Sequence, residues 1–446
     1  MKKYLVVGLG KSGIAAAGLL LKNDKEVVLY DGNKDFDRET FFKNNPELSG
    51  LDICLAEVPG EVLSDIGTAV LSPGVPSDSP FVESLREAGV TITGEIELAY
   101  TLGRGDVLAI TGTNGKTTTT SLLGELMARE FSDVRVVGNI GIPYTEMVSD
   151  STDETVMVAE ISSFQLETAD TFRPRVSAIL NITPDHLDRH HGMEGYIAAK
   201  ESITKNQTED DTCVLNYEDE ELRRFGESLS CNVIFFSSGR RLLDGYYYED
   251  GVIYGPGSTE IIETKELNIL GVHNYENVMA AVAMAEAYGA TRDSIAEGLR
   301  AFHAVPHRIE FICEKRGVAF YNDSKGTNPD AAIKAIEAME RPTLLIGGGY
   351  DKDAAFDEWI EAFGGKVKKL VLIGVTAQKI ASCAEAHGFR DYCFADSLEE
   401  AMDICFDAAV SGDAILLSPA CASWDMFKNY EVRGDMFRQR ALGYSD

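Results

Sequence analysis

Residues Val107–Leu122 read VLAITGTNGKTTTTSL. The apolar run Val107, Leu108, Ala109, Ile110 predicts a buried strand. A glycine-rich turn follows, then Lys116 and a Thr/Ser row that opens a helix. Strand, turn and helix in that order build a cradle for phosphate. Gly112 and Gly115 let backbone N–H groups turn toward a polyphosphate, and the helix N-terminus adds partial positive charge. Gly112, Thr113, Asn114, Gly115, Lys116, Thr117 and Thr118 are therefore the candidate nucleotide-binding set. Lys116 is placed to reach the β- and γ-phosphates and Thr117 to put a hydroxyl on Mg²⁺. The turn departs from the usual pattern in one place: Ile110 stands where that pattern has its first glycine.

Toward the N-terminus, Tyr4–Val7 predicts a strand and Gly8-Leu9-Gly10-Lys11-Ser12-Gly13 a G-x-G-x-x-G turn ahead of a helix over Ile14–Leu21. A second strand, Glu26–Tyr30, ends at Asp31, about 20 residues on. Taken alone this is a dinucleotide fingerprint with Asp31 on a ribose. The same turn suits any pyrophosphate, so a nicotinamide cofactor competes with another nucleotide ligand. The run Ala69–Pro76 predicts a strand and loop, with Ser72, Pro73 and Gly74 near the same carboxyl edge.

Toward the C-terminus, Val134–Ile142 predicts a strand followed by a Gly-Asn-Ile-Gly turn that contains Asn139. Thr155–Ala159 is an apolar strand ending in Glu160, an acid placed to hold Mg²⁺. Val176–His191 crowds Asn181, Asp185, His186, Asp188, His190 and His191 into one loop after a strand, either a solvated loop or a cation and phosphate site. Met193–Thr204 predicts a helix in which Lys200, on residue type alone, faces solvent. Residues 240–268 predict short strands and turns. Asn274 is placed to cap an Ala-rich helix over Val278–Tyr288, or to bind adenine. Residues 292–306 predict a helix and a hinge ending at Pro306. Strands are then predicted at Val318–Tyr321, Thr343–Ile346, Leu370–Ile373 and Ala414–Leu417, with helices between them as in a doubly wound sheet. Polar loops follow three of those strands: Asn322–Asn328, Gly347–Asp351 with Lys352, and Ser418–Ser423. Ligands bind at the carboxyl ends of such strands.

With 446 residues the chain is too long for one core and predicts two or three domains. Its 44% hydrophobic and 25% charged content is that of a soluble globular protein. The formal net charge of −31 argues against nucleic acid and anionic membrane as partners, but leaves small anionic ligands open. No apolar run reaches the ~18 residues of a membrane span, and the first residues read as strand and turn rather than a signal peptide. The eight cysteines form no C-x-x-C pair, which predicts buried thiols in a reducing cytoplasm.

The motifs TGTNGKTTT, EISSFQLE, NITPDHLDRH, GVHNYEN, HRIE, NDSKGTNP and LSPACASWDMFKNYEVRGDMF, in that order and spacing, resemble the Mur ligase family over nearly the whole chain. The phosphate-turn form is shared with folylpolyglutamate synthases, whereas the SPACAS and FKNYEVRG blocks are more specific. The resemblance implies an α/β protein of three domains: an N-terminal Rossmann-like domain for a UDP-sugar (1–94), a central P-loop ATPase-type domain (95–303), and a C-terminal Rossmann-like domain for the amino acid (304–446).

The implied reaction is ATP-dependent joining of D-glutamate to UDP-N-acetylmuramoyl-L-alanine, a cytoplasmic step of peptidoglycan precursor synthesis by a monomer. A sister ligase or a folylpolyglutamate synthase-like enzyme is the nearest alternative. The first-domain fingerprint then meets uridine diphosphate through Ser12, Asp31, Ser72 and Gly74, with Asn139 also facing the UDP-sugar. Thr117, Glu160, His186 and a carbamylated Lys200 match the family's Mg²⁺ sites. Lys116, His186, Lys200 and Lys325 match catalytic positions. Asn274, Asn277, Arg308 and Asp323 match ATP contacts. Thr327, Lys352, Ser423 and Tyr430 match the D-glutamate pocket, with Tyr430 where Phe is usual.

Overall fold

The computed structural model describes residues 2–139, 141–351 and 353–445. Three parallel-rich sheets follow one another along the chain. The first comprises β1 (Lys3–Val7), β2 (Val27–Asp31), β3 (Ile53–Leu55), β4 (Ile66–Leu71) and β5 (Thr91–Gly94), in the order β3-β2-β1-β4-β5. All its pairings are parallel. The order reverses between β1 and β4, the place in such sheets where ligands bind at the carboxyl ends of the strands.

The second sheet holds β6 (Asp106–Thr111), β7 (Val134–Gly138), β8 (Val156–Glu160), β9 (Val176–Ile179), β10 (Thr212–Asn216), β11 (Asn232–Ser237), β12 (Tyr246–Glu249), β13 (Val252–Gly255) and β14 (Thr259–Glu263). Their order is β14-β13-β12-β11-β10-β9-β6-β8-β7. Strand β6 pairs with β8 and β9, which puts Thr111, Glu160 and Ile179 at one edge. Leu108, Ala109 and Ile110 are wholly buried, as an apolar run in a parallel sheet covered on both faces requires.

The third sheet has β15 (Glu310–Lys315), β16 (Val318–Asn322), β17 (Thr343–Gly347), β18 (Val367–Leu372), β19 (Tyr392–Phe394) and β20 (Ala414–Leu417), in the order β15-β16-β20-β17-β18-β19. Only the edge strand β15 runs antiparallel to its neighbour. The three predicted polar loops leave β16, β20 and β17, which lie side by side.

By internal contacts the first two sheets form one compact unit with Glu276–Leu299, and the third forms another with Glu263–Tyr275. No helix among the described residues is long and apolar enough to cross a membrane. All eight cysteines are free, and Cys54, Cys213, Cys231, Cys405 and Cys421 are buried.

Two sequence expectations are corrected. The Ala-rich helix starts at Val272, not Val278, so Asn274 lies inside it. Its Nδ2 donates to Leu270 O at 2.7 Å instead of capping the helix start. Lys200 is not solvated: it is 2% exposed.

Candidate active site

The phosphate turn is held in shape by its neighbours. Gly112 and Gly115 have φ of +148° and +86°, values an L side chain resists. A Cβ on Gly115 would also overlap Asn277 Oδ1, which accepts from Thr119 Oγ1 at 3.2 Å. Asn114 N–H donates to Asn181 Oδ1 (2.8 Å), and Asn181 Nδ2 returns a bond to Asn114 O (3.1 Å). Thr113 Oγ1 donates to Thr183 O (3.0 Å). Lys116, the first residue of the helix Lys116–Ala128, folds back so that Nζ donates to Gly112 O and Thr113 O, both at 2.7 Å.

A second lysine meets the same carbonyl. Lys200 Nζ donates to Gly112 O at 2.8 Å and lies 4.5 Å from the centre of the Tyr196 ring. Burial, and then the nearby Lys116 charge, push the Lys200 ammonium down to about 6. Near neutral pH its amine is therefore largely uncharged and nucleophilic.

Glu160, at the end of β8, is also buried. Its Oε1 accepts from Asn139 Nδ2 at 2.9 Å, while Oε2 has no hydrogen-bond partner. A buried carboxylate oxygen left in that state is costly unless a cation meets it, so the donor set fits a hard metal ion. His186 stands on the loop after β9 at φ +51°, its ring 5.0 Å from Phe164.

The first-sheet turn is assembled differently. Gly8 has φ +88°, and a Cβ on Gly13 would overlap the Gly8 carbonyl oxygen. Ser72 Oγ donates to Gly8 O at 2.9 Å, tying the loop after β4 to the turn after β1. Asp31 Oδ2 accepts from Leu9 N–H at 3.3 Å, and Oδ1 from Asn33 N–H at 2.9 Å. Ser12 lies in the first turn of the helix Lys11–Lys22. Around Gly74 the added Cβ would meet open space. Within the same compact unit, the loop after β9 reaches this edge: Arg189 Nη2 donates to Val75 O (3.1 Å) and Glu167 Oε2 (3.0 Å).

In the third-sheet unit, Asp323 is buried and accepts from Ser418 Oγ at 2.7 Å. Burial raises its carboxyl to about 7, against the pull of Ser418 and Arg308. Arg308 sits between His307 and Ile309, both at positive φ (+66° and +46°), a strained turn that fixes where it starts. Lys325 Nζ lies 3.8 Å from the centre of the Tyr430 ring. Ser423 is buried, and Thr327 follows Lys325 in the same loop, its N–H on Lys325 O at 2.8 Å. Lys352 lies outside the described residues.

Sequence reasoning missed the residues that brace these loops. Arg433 is fully buried, and its Nε and Nη2 bind Ser324 Oγ (3.0 Å) and O (2.8 Å). Its Nη1 reaches Cys421 O at 3.3 Å, so one side chain joins the loops after β16 and β20. It stands inside the FKNYEVRG block, but the sequence assigns it no role of its own. Tyr196 was findable: it precedes Lys200 by one helical turn and so shares its face.

Three family models match the chain: the Mur ligase MurD-like N-terminal domain over residues 2–94, the Mur ligase middle domain over 110–285, and the Mur ligase glutamate ligase domain over 307–421. A relative named UDP-N-acetylmuramoylalanine--D-glutamate ligase, from Lachnoclostridium phytofermentans, is 53% identical, covering 100% of this chain and 99% of its own. A protein of the same name from Clostridioides difficile is 44% identical over 98% of this chain and 97% of its own. Among solved structures, the UDP-N-acetylmuramate-alanine ligase of Thermotoga maritima superposes with a TM-score of 0.62 at 19% identity, covering 99% of each chain. At that identity the likeness is one of fold. With near-complete coverage by relatives of up to 53% identity, the chain belongs to the Mur ligase family.

Proposed function

We propose that this chain joins D-glutamate to UDP-N-acetylmuramoyl-L-alanine at the expense of ATP, giving ADP and phosphate, as a cytoplasmic monomer making a peptidoglycan precursor. The relatives' shared name supports the substrates. The observation that carries the chemistry is the meeting of Lys116 and Lys200 on the Gly112 carbonyl oxygen.

A carboxylate and an amine do not condense in water, so the carboxylate is activated first. Its oxygen attacks the γ-phosphorus of ATP, ADP leaves, and an acyl phosphate forms. The D-glutamate amine then adds to the carbonyl carbon and loses a proton, and the tetrahedral intermediate expels phosphate. Negative charge accumulates at each stage, and fixed cations stabilise it. Lys116 swings from its carbonyl partners to the transferring phosphoryl, beside the N–H groups that open the helix at Lys116–Thr118, while those of Thr113 and Asn114 stay on Asn181. Thr117, Glu160, His186 and Lys200 are the residues that would hold Mg²⁺, which would offset charge across the phosphates. The neutral Lys200 amine is the form that takes up CO₂, releasing one N–H proton to solvent, and the resulting carbamate would be an anionic ligand.

The UDP-sugar is assigned to Ser12, Asp31, Ser72, Gly74 and Asn139. D-Glutamate is assigned to Thr327, Lys352, Ser423 and Tyr430. Asn274, Asn277, Arg308 and Asp323 are assigned to ATP and Lys325 to the acyl phosphate. The domain boundaries proposed are 1–94, 95–303 and 304–446.

The test is product formation from ATP, UDP-N-acetylmuramoyl-L-alanine and a panel of amino acids in both enantiomers, read by mass. A product only with D-glutamate is expected. Product with a different amino acid would transfer the chain to a sister activity.

A further inference from the structure

The third-sheet unit carries a second group of metal-binding side chains. Asp357 and Glu361 begin and end the short helix Asp357–Glu361. Cys383 lies in the helix Ala377–Ala386, and His387 caps its C-terminus. Each pair is spaced four residues apart, which sets both members on one face. A carboxylate oxygen of Asp357, Cys383 Sγ and a ring nitrogen of His387 all lie within 4.8 Å of one another. His387 Nε2 is 3.0 Å from Asp357 Oδ1, and its Nδ1 is 3.5 Å from Glu361 Oε1.

Thiolate, imidazole and carboxylate together are the donors of a borderline divalent ion, whereas Mg²⁺ and Ca²⁺ take oxygen. Tetrahedral bonds of about 2.0–2.3 Å put neighbouring ligand atoms roughly 3.3–3.6 Å apart. No pair here needs to close by more than about 1.5 Å, within reach of side-chain rotation at a partly exposed site. Glu361 stands on the opposite ring nitrogen. A carboxylate there holds Nδ1–H and leaves the Nε2 lone pair free for the metal.

We propose that Asp357, Cys383 and His387 form a zinc-type site with a water as fourth ligand, and that Glu361 orients His387. Binding would release the Cys383 thiol proton, and any second proton on His387, to solvent. The ion would fasten the helix that follows the β17 glycine loop to its neighbour, Ala377–Ala386.

The test is Co²⁺ titration of the full-length, metal-stripped protein in excess Mg²⁺. One equivalent should give a thiolate-to-cobalt charge-transfer band, which Zn²⁺ then bleaches. Thr117, Glu160, His186 and Lys200 contain no sulfur and cannot produce that band. It should vanish in Cys383→Ser, with turnover serving as the folding control for that variant. Glu361→Gln should weaken binding about 10–100-fold. A missing band at one equivalent, or a band that survives Cys383→Ser, would overturn the site. Unchanged affinity in Glu361→Gln would overturn the role given to Glu361.

Discussion

Gly8–Gly13 and Gly112–Gly115 are both glycine turns between a buried parallel strand and a helix, yet their surroundings differ. Around the first, the fixed partners are a hydroxyl and a carboxylate, Ser72 on Gly8 O and Asp31 on Leu9 N–H. Around the second, two lysines share one carbonyl oxygen, and a buried carboxylate oxygen nearby in the sheet edge has no hydrogen-bond partner. The backbone device alone therefore specifies only a place for phosphate. In the proposed function, what surrounds it decides whether that phosphate is held or transferred.

If that division holds, the largest effect comes from Lys116→Ala, which should lower kcat by ~10²–10³-fold or more because a cation aimed at developing charge is gone. Steady-state phosphate release checks it, and near-normal turnover would break the comparison at its root. Lys200→Ala should cost on the order of 10²-fold in the same assay, with partial rescue by added short carboxylates that replace the lost anion. Full activity without rescue would remove Lys200 from the metal site.

The next effect is on pH. The fold lowers the Lys200 pKa to about 6, so acid works against its burial. The cost of burying its charge is absent above the unfolded value and grows as pH falls from there to about 6. Each unit below that point cuts the neutral amine about tenfold, and uptake of labelled bicarbonate should fall in step. Uptake independent of pH would contradict the reading. The smallest effect belongs to Ser72→Ala, which removes one hydrogen bond worth ~0.5–1.5 kcal/mol. It should raise KM for the UDP-sugar by about tenfold or less and leave kcat alone, which a kcat-against-KM comparison would reveal.

Periodicity and turn chemistry made the strands that carry both turns legible, because apolar runs bounded by glycine leave few other readings. Short or edge strands such as β3, β5, β15 and β19 were not foreseen, since three to six residues of mixed burial carry little pattern. Lys200 shows the limit most clearly. On residue type a helical lysine faces water, and only tertiary packing under Gly112 and against Tyr196 buries it. Family motifs carried the proposal of a metal role for it; the fold shows its burial and its bond to Gly112 O. Arg433 lies in the quoted FKNYEVRG block, but its bracing role was not legible, because its partners are backbone oxygens and a serine hydroxyl brought together by loops after β16 and β20.

The most direct test of the division between the two turns is equilibrium binding of both nucleotides to the Lys116→Ala protein. On that division, UDP-N-acetylmuramoyl-L-alanine affinity should stay close to wild type and ATP affinity should fall markedly. Loss of both affinities together, or of the UDP-sugar alone, would contradict it.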